Sequence, residues 1–235
     1  MYASISDGEF DFILINESWL DSLICDTEII SADYNLFRYD RNFKELRVQR
    51  GGGVFIAVRN HIPSAIIDLS HIRNAFACID IIGIRCTLSE AYTLHIFTIY
   101  IPSSTSLSII GEFLSLLGEI VIELPNVVIG GDFNCPKFET ELQGKGKEVR
   151  SFIEYSNIEQ VNFISNYMGN ILDLVLSHEL QAIVEREVHP LLPVDIYHPA
   201  LSFTISVKSV CRITLEFLER VIILERLILL SYTTI

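Results

Sequence analysis

The segment V-V-I-G-G-D-F-N-C-P, residues 127–136, places a carboxylate and a carboxamide two residues apart at the end of an apolar, β-branched run. Val127, Val128 and Ile129 have the character of a buried central strand, and Gly130 and Gly131 are expected to end it. Paired glycines let the chain turn and let a ligand come close, because they lack a Cβ and tolerate positive φ. Alternation puts Asp132 and Asn134 on one side. That side lies at the carboxyl end of a strand, where α/β sheets bind ligands. A carboxylate so placed can act as a general base or hold a hard cation, and the amide can hydrogen-bond a phosphate or a water. Taken alone, G-G-D-x-N is equally well an Asx turn.

Four other residues sit at comparable places. Glu17 follows the strand candidate F-D-F-I-L-I, residues 10–15, although a lone glutamate there more often faces solvent. Tyr100 closes the apolar run A-Y-T-L-H-I-F-T-I-Y just before Ile101-Pro102, where a tyrosine is commonly an amphipathic rim residue. Asp173 interrupts N-I-L-D-L-V-L-S, and a carboxylate on an apolar strand is costly to bury unless paired. Its natural partner is a histidine. His198-Pro199 stands just before the apolar segment L-S-F-T-I-S-V, whereas His178 and His189 read as surface residues and His95 as a core or face residue.

These residues need elements to position them. Gly51–Arg59 reads as a glycine-rich turn entering a buried strand; it lacks the G-x-x-x-x-G-K-[ST] pattern of a P-loop. Ala75–Arg85 and Ala91–Tyr100 are expected to be neighbouring strands. Leu107–Leu124 carries apolar residues at 109, 110, 113, 114, 116, 117, 120 and 121, the spacing of a helix with one broad apolar face. Glu148–Ser156 reads as a short helix. Val210–Ile235 mixes dense apolar residues with charges and is expected to be a helix laid on the domain.

The chain has 235 residues, half of them hydrophobic, which suits one domain with a sizeable core. A net charge of −13 argues against broad electrostatic attraction to nucleic acid. Any DNA binding must then come from bound cations or a local basic patch. The one clear basic run is Asp33–Arg50, with Arg38, Arg41, Lys44, Arg47 and Arg50 at every third position and Tyr34, Phe37 and Tyr39 interleaved. It is either a solvated loop or a loop that contacts a nucleic-acid backbone and offers rings for stacking. Five cysteines, an odd number with no C-x-x-C, point to neither a disulfide framework nor a zinc site. That usage suits a reducing intracellular compartment, nucleus or cytoplasm. Cys135 reads as a packing residue. No secretory signal and no apolar stretch long enough to span a bilayer stand out, so no membrane association is expected.

Taken in order, E-S-W-L from Glu17, Y-I-P from Tyr100, G-G-D-F-N from Gly130, L-D-L-V from Leu172 and His198-Pro199 resemble the metal-dependent endonuclease/exonuclease/phosphatase family, the apurinic-endonuclease-like proteins. With Y-N-L-F-R-Y-D-R before Gly51-Gly52-Gly53-Val54, the wording is similar to the endonuclease domain of non-LTR (LINE-type) retrotransposon reverse-transcriptase polyproteins. The resemblance implies a two-sheet α/β sandwich of four layers, α-β-β-α, over residues 1–207, with 208–235 a helical or poorly defined tail. It implies Mg²⁺-dependent phosphodiester hydrolysis, with Mn²⁺ as the substitute ion, that nicks double-stranded DNA. It also implies a place in a longer polyprotein with a reverse transcriptase. Glu17 becomes the metal ligand. Asp132, Asn134, Asp173, His198 and Tyr100 become the catalytic set, with Asp173 holding His198, and Arg38 and Arg41 become contacts to the DNA backbone.

Two departures from the family pattern stand out. The first strand, with an asparagine that helps bind the metal, is expected to be missing, which would leave an interior sheet edge open. Tyr197 stands where a carboxylate is expected directly before the histidine, and Asp195 lies three residues before it. The alternative is therefore a catalytically inactive remnant acting at most as a DNA-docking or protein-interaction module. A second alternative keeps the chemistry on a phosphomonoester or a phosphorylated lipid.

Overall fold

Apolar runs become strands and the amphipathic stretches become helices, arranged as two packed sheets. The computed structural model describes residues 10–41, 51–178, 181–191, 196–208 and 216–225; for 181, 206–208 and 216–225 it describes the backbone alone. The strands are β1 (Phe12–Asn16), β2 (Tyr34–Tyr39), β3 (Val54–Arg59), β4 (Ser64–Ile66), β5 (Asp80–Ser89), β6 (Tyr92–Tyr100), β7 (Val127–Asp132), β8 (Glu159–Gln160), β9 (Asp173–Ser177), β10 (Gln181–Arg186), β11 (Leu201–Lys208) and β12 (Glu216–Glu225). Among the described residues they form two six-stranded sheets, ordered β10-β11-β12-β1-β3-β2 and β4-β5-β6-β7-β9-β8.

Side-chain alternation gives the central strands two apolar faces. Phe12 and Leu14 of β1, Ile56 of β3, Ile96 of β6, Val128 of β7 and Phe203 of β11 meet between the sheets. Ile13 and Ile15 turn to the opposite face, against Leu20, Ile29 and Ile30 of the segment containing the short helix Asp26–Ile29. Phe97, Ile129 and Leu174 turn outward from the second sheet, against the helices Leu107–Val121 and Lys145–Tyr155. Strands buried on both faces explain why β1, β3 and β7 are continuous apolar runs rather than alternating ones. The helix Leu107–Val121 starts at Ser106, whose Oγ accepts from the Ile109 N–H at 3.4 Å. It buries Ile110, Phe113, Leu114, Leu117 and Val121, each side chain worth about 1.5–3 kcal/mol of transfer free energy.

Four sequence expectations are corrected. Ala75 ends a helix, Ser70–Ala75, and β5 begins only at Asp80. Gly130 and Gly131 do not end the strand. β7 runs through both to Asp132, because β6 lies so close that a Cβ at Gly131 would meet the Ile99 backbone. The start of the expected 34–50 loop is strand β2, paired antiparallel with β3. Lys44, Arg47 and Arg50 lie outside the described residues.

The fourth correction concerns the tail. Glu216–Glu225, expected as a helix beyond a boundary at 207, is a strand inside the first sheet. β12 pairs parallel with β1 and antiparallel with β11. The edge of β1 that was expected to stand open is thus paired. The middle of this segment, Val221, Ile222 and Ile223, is β-branched and suits a strand, and in that form it satisfies the ladders of both β1 and β11.

Candidate active site

Register brings the chemistry into one row. In the second sheet Asp80 of β5 pairs with Tyr100 of β6, Tyr100 with Asp132 of β7, and Asp132 with Asp173 of β9. Asp80, Tyr100, Asp132 and Asp173 therefore sit side by side across four adjacent strands. Their neighbours Ile82, Val128 and Val175, an even number of residues away, line the space between the sheets. The four side chains consequently close one end of that space. Asp80, Asp132 and Asp173 are each at most 3% exposed. Buried carboxylates at this density require partners.

Asp132 has Asn134. The Asn134 backbone N–H donates to Asp132 Oδ1 at 2.7 Å, and its amide nitrogen donates to Asp132 Oδ2 and, at 3.1 Å, to the Ile101 carbonyl. Asn134 reaches this position with φ +47°, a left-handed conformation that asparagine tolerates better than most residues. Burial holds the Asp132 carboxyl well above the usual carboxylate range, and the negative charge of Asp173 adds to it. His198 and the Asn134 N–H pull the other way. Asp173 has His198, whose Nδ1 lies 3.2 Å from each carboxylate oxygen. Asp132, Asp173 and His198 offer ligand atoms within 4.8 Å of one another.

The first sheet contributes from the opposite side. Asn16 ends β1, and its Oδ1 accepts from Thr98 Oγ1 of β6 at 2.7 Å, a rung between the sheets. Glu17 follows, and the Tyr100 hydroxyl donates to its Oε1. Burial, then this contact with Glu17, drives the Tyr100 hydroxyl far up from its ordinary value, so it stays a donor at any physiological pH. Glu17 and Trp19 both adopt positive φ, 49° and 55°, conformations that cost energy in residues other than glycine. The Ser18 and Trp19 N–H groups donate to the carbonyls of Gly53 and Gly52 at 3.0 and 2.9 Å, which ties this bend down.

Arg38 and Arg41 have internal partners. Arg38 pairs with Asp40 and Asp26 and donates to the Ile24 and Asp21 carbonyls. Arg41 pairs with Asp80 and lies over the Tyr100 ring, its guanidinium carbon 5.2 Å from the ring centre. A phosphate would have to compete with these carboxylates for either guanidinium. Tyr197 is half-exposed beside His198 and packs edge-on against Tyr167, ring centres 5.9 Å apart. Asp195 lies outside the described residues. His95 is buried with Nδ1 2.7 Å from the Pro125 carbonyl, and Cys135 is buried with its thiol pushed up to about 11, a packing residue.

Two groups near the site had no place in the sequence reading. Asp80 sits in A-F-A-C-I-D-I-I, and the cost of a carboxylate on an apolar strand, applied to Asp173, applies equally there. Exposed Tyr167 falls in a stretch with no periodic or motif signal, and only the fold brings its ring against that of Tyr197.

No family model matches the sequence, and no curated protein sequence matches it. Solved structures do match the fold. The endonuclease domain of TRAS1, a telomere-specific non-LTR retrotransposon, superposes with TM-score 0.57 at 12% identity, covering 84% of this chain and 99% of that one. A 3′ phosphatase, NExo from Neisseria, bound to a product DNA hairpin, gives 0.52 at 11% identity, over 79% and 84%. The catalytic domain of Xenopus laevis APE2 gives 0.51 at 12% identity, over 92% and 85%. At such identities the likeness is one of fold.

Proposed function

We propose that this chain, which has the endonuclease/exonuclease/phosphatase fold, is a divalent-cation-dependent phosphoesterase that nicks double-stranded DNA. One observation carries the reading: Glu17 with Tyr100 from one side, and Asp132 with Asp173 and His198 from the other, converge at a single end of the sandwich. The neighbours are described as an endonuclease domain, a phosphatase bound to DNA and a catalytic domain, which supports DNA as the substrate class.

The donors suit a hard cation. They are carboxylate oxygens with one imidazole, and Mg²⁺ or Mn²⁺ takes oxygen ligands and uses few carboxylates. Glu17, which lies outside the Asp132–Asp173–His198 group and reaches this row through Tyr100, the cross-strand neighbour of Asp132, would hold the ion. When bound, the cation supplies a Lewis acid that offsets the charge of the phosphate. Asp132, its basicity raised by burial, takes the proton of the attacking water. Asn134, whose amide N–H groups are given to Asp132 and Ile101, fixes the orientation of that carboxylate. His198, turned by Asp173, donates to the charge that develops on the phosphate oxygens. Tyr100 holds Glu17 in place. Tyr167 and Tyr197 offer ring faces to bases beside the cut, while Arg38 and Arg41 serve the scaffold through their internal pairs. A place beside a reverse transcriptase in a longer polyprotein would give the nick a use, since it exposes a primer end.

The test is supercoiled plasmid incubated with and without Mg²⁺, beside an Asp132→Ala variant, with a 3′-phosphorylated duplex as the second substrate. Nicked circles that need both Mg²⁺ and Asp132 support the endonuclease. Release of phosphate without nicking moves the activity to a phosphomonoester. A folded protein silent on both substrates is the inactive remnant.

A further inference from the structure

The carboxylate of Asp80 has no exposed surface, and sheet pairing does not require it. It occupies the same cross-strand row as Tyr100, Asp132 and Asp173 but touches neither His198 nor Asn134. Its partners lead elsewhere. Arg41 donates to it through Nε at 3.1 Å and Nη2 at 2.5 Å, and the Gly53 N–H donates at 2.8 Å. Both routes end at Glu17. Through Arg41 the path crosses the Tyr100 ring, whose hydroxyl holds the Glu17 carboxylate. Through Gly53 it follows the carbonyls of Gly52 and Gly53 to the N–H groups of Trp19 and Ser18, the two residues after Glu17.

Backbone conformation makes this support necessary. Glu17 and Trp19 are held at positive φ, and such residues keep that geometry only where their surroundings over-determine it. The glycine turn is shaped for the pair. Gly51, Gly52 and Gly53 have φ of 120°, 80° and 80°, and a Cβ at Gly52 would overlap the Arg41 guanidinium and the Asp80 carboxylate. A Cβ at Gly53 would come within 2.7 Å of Ser18 Oγ.

We propose that Asp80, acting through Arg41 and the Gly51–Gly53 turn, is a positioning residue that holds Glu17 at the angle needed to bind the divalent cation, an inference that rests on the phosphoesterase reading above. Arg41 in this role is part of the scaffold behind the cation.

Trp19 is the chain's one tryptophan and stands two residues from Glu17, so quenching of its fluorescence by paramagnetic Mn²⁺ reads cation binding at this bend directly. Full-length wild type, Asp80→Asn, Arg41→Lys and Gly52→Ala are titrated with Mn²⁺ after each is shown to unfold cooperatively. Loss of supporting hydrogen bonds around a metal ligand typically weakens affinity by about 10–100-fold. Asp80→Asn is expected to raise the Mn²⁺ dissociation constant by at least about tenfold, and Gly52→Ala to shift it in the same direction. Arg41→Lys, which keeps the charge but loses the two-nitrogen fork, is expected to fall between. Nicking by these variants should fall at low Mg²⁺ and return at high Mg²⁺, which a general loss of structure would not produce. Wild-type Mn²⁺ affinity in folded Asp80→Asn overturns the role of Asp80 and leaves the phosphoesterase reading standing. If Asp80→Asn does not fold, wild-type affinity in both Arg41→Lys and Gly52→Ala overturns it equally. Absence of Mn²⁺ quenching in wild type itself defeats both.

Discussion

His198 Nδ1 lies 3.2 Å from Oδ1 and 3.2 Å from Oδ2 of Asp173, and Asp173 is 3% exposed. One side of the imidazole is thus fixed by a buried carboxylate, which sets the orientation of the ring. The Asp173 side chain in turn sits one strand from Asp132, so the same carboxylate that orients the histidine also raises the proton affinity of the base.

Replacing Asp173 by asparagine should leave the ring nearly in place but remove the anion that favours the imidazolium. General acid–base contributions run to about 10²–10⁴-fold, and a fall of about 10²-fold or more in kcat with little change in KM is expected. Steady-state nicking kinetics on a defined duplex check this; an unchanged kcat would remove His198 from the chemical step.

Asp132 predicts a pH dependence of stability in protein freed of divalent cations. Burial raises its folded-state pKa above the value of about 3.9 for an unfolded aspartate. The folded state therefore binds the proton more tightly, and that stability is complete below about pH 3.9 and lost as pH rises through the raised folded value. Asp132→Asn should be less pH-dependent than wild type and more stable at pH 7, while losing activity. Urea midpoints in chelator between pH 4 and pH 8 measure the difference; a variant less stable than wild type at pH 7 would contradict it.

Tyr167 and Tyr197 present exposed rings that pack edge-on against each other, and Tyr197 directly precedes His198 in the chain. Stacking of a base on an aromatic side chain is worth about 1–3 kcal/mol by alanine substitution. Tyr197→Ala should accordingly weaken DNA binding by about fivefold or more and leave the single-turnover rate at saturating DNA unchanged. Fluorescence anisotropy of a labelled duplex gives the first quantity and quench-flow the second.

β12 supports both β1 and β11. A chain ending at Lys208 leaves two interior ladders unpaired, and Ile222→Pro removes a ladder donor from the middle of an interior strand. Loss of cooperative unfolding is expected for the first and a large fall in midpoint for the second, followed by circular dichroism. A shortened chain with the wild-type midpoint would place residues 209–235 outside the fold.

The core and much of the site were legible in the sequence for a local reason. A strand buried on both faces has to be apolar throughout, so Phe12–Asn16, Val54–Arg59 and Val127–Asp132 announce themselves, and the helix Leu107–Val121 does so by its spacing. Polar residues that break or end such runs, Asp132, Asp173 and Glu17, were visible against that background. Ala75–Arg85 misled because an apolar run does not say where a helix gives way to a strand. Glu216–Glu225 misled because its partners lie nearly the whole chain away.

The sequence by itself determined which segments must be buried, which carboxylates would be costly there, and the order of motifs that resemble a known family. All of these follow from residue type and short spacing. Only the tertiary structure decided that Asp80 joins Tyr100, Asp132 and Asp173 in one row, that Arg41 turns inward onto Asp80 and Tyr100, and that β12 enters the centre of a sheet. Cross-strand register and strand order depend on pairing between residues far apart in the chain. No local pattern encodes which unsatisfied backbone edge a distant segment will fill.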